Sequence, residues 1–525
     1  MIVSGIDIEK LKNNIIKRSQ RHECIYLYGA GRIGRKWKLF LNRLGIYPTG
    51  YIISKGNIRE FCGLPVINAA EAKENLHHKY CVIGAFLDAS DDFLRRMLGN
   101  NIDTIVLSNT EFYYLFSKDI LTPILEELRN KYSTNKIIDI KNWKNILVIR
   151  LDVLGDNIMS TAFLRELKRN CPQGSITLLV RRQLYSLYKN SPYVTHIALY
   201  NQDSVDGLSI DTEEDITNAK VKISKFVTSE HKMQENFDVV INLCTLLGGR
   251  SGIEAFLLMF ASKATCRIGR INSFEILGPM HYRMLNDLFS VISYEVEEKH
   301  EVLYMLDMIT KCGGKVNSDR IEVWPEPSDV FFAKNVLKYD SHTSKKIIAI
   351  GLVGSIPSKN WPVEKYIMAM RGIAKRYFDD DILYVLIGGK DASSAANELI
   401  QVNIFNDVNI LDLTGKTDLS QCAAILKLCD LYIGADTGVM HMAAAVGVPV
   451  VELGINLPDS SIGDGAVPER MGAWGVPTIA LSPQKALGNC SRLCTYGAPH
   501  CITQITVEEV VEAAEELLHK CESQS

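Results

Sequence analysis

Three stretches far apart in the chain hold side chains suited to gripping an anion and moving a proton beside it. The first is Tyr432 to Val451, YIGADTGVMHMAAAVGVPVV. An apolar strand pattern ends in Gly434-Ala435, a polar knot of Asp436, Thr437 and Gly438 follows, and His441 stands one turn into a small-residue helix. A helix N-terminus after a strand offers unpaired N–H groups and the positive end of the dipole, which suits phosphate. Here Thr437 and Gly438 would donate to phosphate oxygens, Gly438 would let a ligand approach the backbone, Asp436 would accept from hydroxyls, and His441 would bond the anion or Asp436. The second stretch is Leu151-Asp152-Val153-Leu154-Gly155-Asp156 after the apolar run Ile146 to Ile149. It sets the Asp156 carboxylate at a helix start past a strand's carboxyl end, where ligands bind in open α/β sheets. The third is Val353 to Pro362, whose Lys359 and Ser355 supply a point charge and a hydroxyl donor for phosphate. Each has a plainer structural reading: a helix N-cap or first-turn acid for Asp156, a cap for Thr437, a solvated lysine for Lys359, a structural helix histidine for His441. Asp152 reads as a solvated turn residue.

These residues need strands to place them, and the chain supplies strand–helix alternation throughout. That alternation predicts parallel sheets with helices on both faces, an α/β class. The predicted divisions are a small Rossmann-like module at 1–110, a helical linker at 111–144, and two further α/β domains at 145–325 and 326–525. Length, at 525 residues, agrees with several domains. A formal net charge of −3 argues against a nucleic-acid protein that relies on a diffuse basic surface. No apolar run is long enough to span a bilayer and the first residues lack a signal-peptide core, so the expectation is a soluble cytoplasmic protein. Most of the 13 cysteines sit in apolar patterns, as reduced buried thiols do. Cys490, Cys494 and Cys501, with His500 adjacent, form one local cluster that could hold a metal; free thiols are the default.

The first module carries Gly29-Ala30-Gly31-Arg32-Ile33-Gly34 between a strand and a helix, the dinucleotide fingerprint in its required context. The acid that would hold a ribose is missing at the end of the next strand, where Ser54-Lys55 stand. Redox chemistry is therefore not expected of it, and a structural or regulatory binding role remains. The module resembles small Rossmann-like units attached to sugar-modifying enzymes.

From about Asn145 onward the chain resembles the heptosyltransferases of glycosyltransferase family nine. The resemblance is carried by ILVIRLDVLGDNIMSTAFLRELK at Ile146 to Lys168, K-x-W-P at Lys359 to Pro362, the Ile387-Gly388-Gly389 turn and GADTGVMHMAAAVGVPVV. It implies a GT-B glycosyltransferase fold, two Rossmann-like domains facing each other over a cleft. It also implies inverting, metal-independent transfer from a nucleotide-sugar donor, usually ADP-heptose, to a lipopolysaccharide-type acceptor. No other cofactor is implied, and a glycolipid acceptor brings the expectation of peripheral contact with the inner membrane face. Asp156 matches the family's proposed base and Lys359 its phosphate-binding lysine. Ser355, Gly388, Asp436, Thr437, Gly438 and His441 complete the implied donor site, with no metal there. The position of Asp152 is more often Ser in the family, and the first 140 residues are extra. Some members carry a cysteine-rich segment near the C-terminus, which binds iron in one protein-glycosylating branch. Transfer of another sugar, modification of a protein acceptor, and non-catalytic nucleotide-sugar binding are the alternative readings.

Overall fold

The computed structural model describes residues 8–30, 32–54, 58–75, 80–84, 91–100, 102–107, 122–131, 139–200, 237–245, 249–272, 279–295, 298–339, 345–354, 356–376, 381–403, 408–457, 460, 467–487 and 498–522. They form two compact units. One holds the described parts of 1–134 and 273–290, the other those of 135–204, 230–272 and 291–525.

The first unit is built on β1 (Cys24–Tyr28), β2 (Gly50–Ile53), β3 (Glu60–Phe61), β4 (Leu64–Asn68), β5 (Tyr80–Gly84) and β6 (Asp103–Ile105), in the order β3-β4-β2-β1-β5-β6. All pairings are parallel except the β3–β4 hairpin. The fingerprint glycines act locally. Gly29 takes a left-handed φ of 117°. A Cβ on Gly34 would lie 2.1 Å from the Gly29 carbonyl oxygen, so only glycine lets the helix Arg32–Arg43 sit this close to β1. Ser54, where a ribose-binding acid is absent, bonds the Tyr28 hydroxyl at 2.8 Å. In the same unit the helices Thr122–Lys131 and Pro279–Leu288 pack together, with Arg129 paired to Asp287 at 2.6 Å.

The second unit holds two six-stranded parallel sheets. One comprises β7 (Asn145–Arg150), β8 (Ser175–Arg181), β9 (His196–Tyr200), β10 (Val239–Thr245), β11 (Cys266–Asn272) and β12 (Val291–Glu295), in the order β12-β11-β10-β7-β8-β9. The other comprises β13 (Lys346–Gly351), β14 (Ile382–Leu386), β15 (Asn409–Asp412), β16 (Leu431–Ala435), β17 (Val450–Leu453) and β18 (Thr478–Leu481), in the order β15-β14-β13-β16-β17-β18. The central strands read as near-continuous apolar runs because helices cover both faces. In each sheet the strand order reverses once, between β7 and β10 and between β13 and β16. Loops leaving the carboxyl ends there diverge and open a crevice. The loop after β7 carries Asp152 to Asp156, that after β13 carries Lys359, and that after β16 carries Asp436 to Gly438.

One boundary differs from the sequence reading. The stretch up to Lys144 was expected to be linker, yet Ile140–Asn142 form a 3-10 turn capped by Asp139, whose carboxylate accepts from Lys141 N at 3.1 Å. Ile140 and Trp143 are buried in the core of the second unit. Apolar and polar residues are mixed in Ile137-Ile138-Asp139-Ile140-Lys141-Asn142-Trp143 over too few positions to give a period that signals burial.

Candidate active site

The Asp156 side is organised by Arg150. It ends the apolar strand β7 and is 1% exposed, so its charge must be met inside the protein. Its guanidinium pairs with Asp152 at 2.9 Å and Asp156 at 3.4 Å, lies 3.8 Å from Glu301, and donates to the carbonyls of Asp156 and Leu243. Asp156 is in the first turn of the helix Leu154–Asn170. Burial pushes its carboxyl up to about 6; Arg150 pulls down, Asp152 and Glu301 push up, and His441 pulls down. Asp152 is thus not a solvated turn residue but one of two carboxylates sharing Arg150. Val153, not Asp156, is the N-cap of this helix, while Asp156 stands as its first-turn acid, the other half of the plainer structural reading.

Behind Arg150 lies a wider buried ion network. Arg270 on β11 pairs with Glu295 at 3.2 Å and with Glu301. Arg470, from the short helix Pro468–Met471, pairs with Glu295 at 3.0 Å and Glu301 at 3.4 Å and lies over the Tyr304 ring. Burial opposes the charge on Glu301, but Arg270, Arg470 and Arg150 outweigh it and hold that carboxyl down at about 2.

On the other side, Lys359 donates to Asp436 Oδ2 at 2.7 Å and to the Asp436 carbonyl at 3.2 Å. Its loop is folded to aim it there. Gly354 N donates to Asn360 Oδ1 at 2.8 Å, and a Cβ on Gly354 would meet Lys359 Cβ at 2.5 Å. His441 Nε2 lies 3.5 Å from Asp436 Oδ1, and Nδ1 is buried with no partner among the described residues. Burial works against the Asp436 charge, but His441 and Lys359 outweigh it and hold the carboxyl down at about 2. Thr437 is the N-cap of the helix Gly438–Ala445, its hydroxyl accepting from Met440 N at 3.4 Å. Glu452, opposite Gly434 across β16 and β17, is a fully buried acid that sequence reasoning missed. Burial pushes it up to about 8, with the Asp436 charge adding to the effect, so it carries its proton at neutral pH.

The two helix starts meet. A Cβ on Gly155 would come within 2.6 Å of His441 Cδ2, and one on Gly438 within 2.6 Å of Leu154 Cγ. This corrects the reading of Gly438: the space beside its Cα is filled by Leu154, so its lack of a side chain serves packing between the two sheets' helices. Gly388 likewise serves a turn. Its carbonyl accepts from Gly415 N at 2.9 Å, and a Cβ there would meet Ala392 at 2.9 Å. Ser355, Cys490 and Cys494 lie outside the described residues. Cys501 is buried, its thiol 3.4 Å from His500 Nδ1.

The site therefore brings Asp156, Lys359, Asp436, Thr437, Gly438 and His441 to one locus. Arg150, which lies inside the Ile146–Lys168 string but has no role implied there, and Glu301 and Arg470, which no motif marks, complete its charge pattern. A charged residue closing the apolar run Ile146–Ile149 is the trace Arg150 leaves in the sequence.

Two doubly wound sheets with their switch-point loops meeting in this way define the GT-B class. A solved glycosyltransferase family 9 protein from Veillonella parvula shares the architecture, with a TM-score of 0.54 at 18% identity over 74% of this chain and 100% of that one. Residues 229–454 match glycosyltransferase family 9 (heptosyltransferase), and the chain carries a domain of that family. Lipopolysaccharide heptosyltransferase 2 of Escherichia coli is 32% identical over 105 residues, 20% of this chain and 29% of that protein. Lipopolysaccharide core heptosyltransferase OpsX of Haemophilus influenzae is 22% identical over 312 residues, 59% of this chain and 78% of its own. The chain thus spans less than a third of the first of these relatives and more than three quarters of the second. Among the described residues no helix is long and apolar enough to cross a membrane.

Proposed function

We propose that this protein is an inverting glycosyltransferase. It moves a sugar, heptose being the first candidate, from a nucleotide diphosphate donor of the ADP-heptose kind to a lipopolysaccharide or related surface-glycan acceptor. It would act in the cytoplasm, at the inner face of the membrane where such an acceptor is anchored. The observation that carries this reading is the abutment of the two helix starts, which puts a carboxylate of raised pKa, Asp156, beside a cationic phosphate-type site, Lys359 with the N-terminus of Gly438–Ala445.

The chemistry follows from the charges. Single displacement needs a base on the acceptor hydroxyl and charge stabilisation on the leaving diphosphate. A carboxyl titrating at about 6 is ionised at neutral pH and still a stronger base than a surface carboxylate. The Lys359 ammonium gives two donors to Asp436 and has a third proton to offer a phosphate oxygen. Helix N–H groups, the dipole and Lys359 together replace the charge of a divalent ion in this scheme. His441, held against Asp436, would orient it toward the sugar hydroxyls. Relatives named as lipopolysaccharide heptosyltransferases support heptose as the sugar and lipopolysaccharide as the acceptor class.

The test is a thermal-shift screen of nucleotide sugars with and without EDTA, followed by assay of nucleoside-diphosphate release with lipopolysaccharide-core acceptors. ADP-heptose should raise the melting temperature equally in both conditions and should release ADP only when acceptor is present. Stabilisation that EDTA abolishes, or none by any nucleotide sugar, would sink the reading; release driven by a protein acceptor would redirect it.

A further inference from the structure

Titratable groups face Asp156 from each element packed on it: Arg150 at the end of β7, Asp152 in its own loop, Glu301 at the start of the helix Glu301–Lys311, and His441 from the second sheet's helix, while Cys244, near the end of β10, faces Asp152 and Arg150 as a neutral thiol. Tyr188, on the neighbouring helix, lies within its field and donates to Asn157. Glu301 is the pivot. It touches Arg270 and Arg470 and stands 3.8 Å from Arg150. Arg150 and Arg270 belong to the first sheet of the second unit, whereas Arg470 comes from the short helix that follows β17 of the second sheet.

That delivery is built. His300 caps the Glu301 helix through Nδ1, accepting from Val302 N at 3.3 Å, and its Nε2–H donates to the Gly472 carbonyl at 3.1 Å. Its ring stacks on Trp474 with centroids 4.3 Å apart, and Trp474 Nε1–H donates to the Asp319 carbonyl at 3.0 Å. Burial holds His300 down to about 4, so it is neutral in this contact through the working pH range. The segment after Val467 therefore fixes Arg470 against Glu295 and Glu301 without help from a titrating group.

We propose that Arg470 is a positioning residue for the transfer reaction, acting through Glu301. By neutralising Glu301 from the second sheet's side, it leaves Arg150 to the Asp152–Asp156 pair and so couples the packing of the two sheets to the state of the base. The kinetic part of this inference rests on the proposed glycosyltransferase reading; the electrostatic part does not. With Arg470 gone, the Glu301 charge draws Arg150 away from Asp156 and adds its own field, and both effects make Asp156 harder to ionise.

The experiment follows the carboxyl itself, by carbon-13 NMR of the full chain labelled at aspartate side chains. The Asp156 resonance is the one titrating near 6 that disappears in Asp156→Asn. Arg470→Met should raise its midpoint by ~0.5–1 pH unit, Arg470→Lys should leave it within about 0.2 unit, and Glu301→Gln should lower it. Glu301→Gln carries the test if Arg470→Met fails to fold. A midpoint unchanged in either folded variant, or moved as far by Lys as by Met, overturns the proposal. The acid limb of kcat/KM should move with the resonance. If the resonance moves while no nucleotide sugar gives turnover, the coupling stands and the glycosyltransferase reading falls.

Discussion

Asp156 and Asp436 occupy equivalent places in two sheets of the same design, each just past a switch-point strand at the start of a helix. Their side chains are nearly equally exposed, at 19% and 17%. Yet one carboxyl is held up at about 6 and the other down at about 2. Exposure does not separate them; partners do. Asp436 has Lys359 at 2.7 Å and His441 at 3.5 Å. Asp156 has a weaker pull from His441 and a share of Arg150, which also serves Asp152, two carbonyls and the edge of Glu301. A pair of carboxylates pushed apart in this way divides labour: the higher one is fit to take a proton and the lower one to stay charged and hold a cation.

The strongest way to break the comparison is to exchange the charge for an isosteric amide. Asp156→Asn should lower transfer by roughly 10²–10⁴-fold while nucleotide affinity by isothermal titration stays near wild type. Near-normal turnover by the folded variant would remove Asp156 from the chemistry.

The cationic half should answer in binding. Lys359→Ala is expected to weaken nucleoside-diphosphate binding by roughly 1.5–3 kcal/mol, since a charge-assisted contact is lost beside a carboxylate that then stands unpaired. Titration with ADP with and without EDTA measures this; an affinity unchanged by the substitution places the diphosphate elsewhere.

A pH-rate profile sharpens the assignment further. Because Asp156 must be ionised, kcat/KM should rise as pH rises through about 6 and level off above it. Asp436, already ionised from about 2 upward, should contribute no limb in that range. A profile flat between pH 5 and 7 would contradict the pairing of roles.

The smallest expected effect is on stability, and its sign differs between the two sites. Asp156 has a folded pKa above its unfolded value, so its charge costs stability that is absent below about 4 and complete above about 6. Asp436 has a folded pKa below its unfolded value, so it stabilises above about 4, and this is lost as pH falls toward 2. At pH 8, Asp156→Asn should raise the melting temperature by ~1–3 °C and Asp436→Asn should lower it by a similar amount. Shifts of the same sign would show that packing, not charge, governs both positions.

The α/β alternation, the strand-ending positions of Asp156, Lys359 and Asp436, and the capping role of Thr437 were readable because each depends on a few consecutive residues. Arg150, Glu301 and Arg470 were not, since a buried ion network spans 320 positions of chain that only the tertiary fold brings together. Gly438 was misread for a related reason. A missing side chain signals close approach but not what approaches, and here it is Leu154. Glu452 looks in sequence like one polar residue in the run Val450–Leu453, and its depth is set by the neighbouring strands.

The glycine at each helix start has a consequence for building hybrids of this enzyme class. Gly155 makes room for His441 and Gly438 makes room for Leu154, so each half is shaped by a residue encoded in the other. A chimera that joins one relative's first sheet and helices to another's second would separate these pairs. The exchangeable module is therefore a sheet with its helices together with the one side chain that fills the other's glycine, and grafts should keep Leu154 with Gly438 and His441 with Gly155.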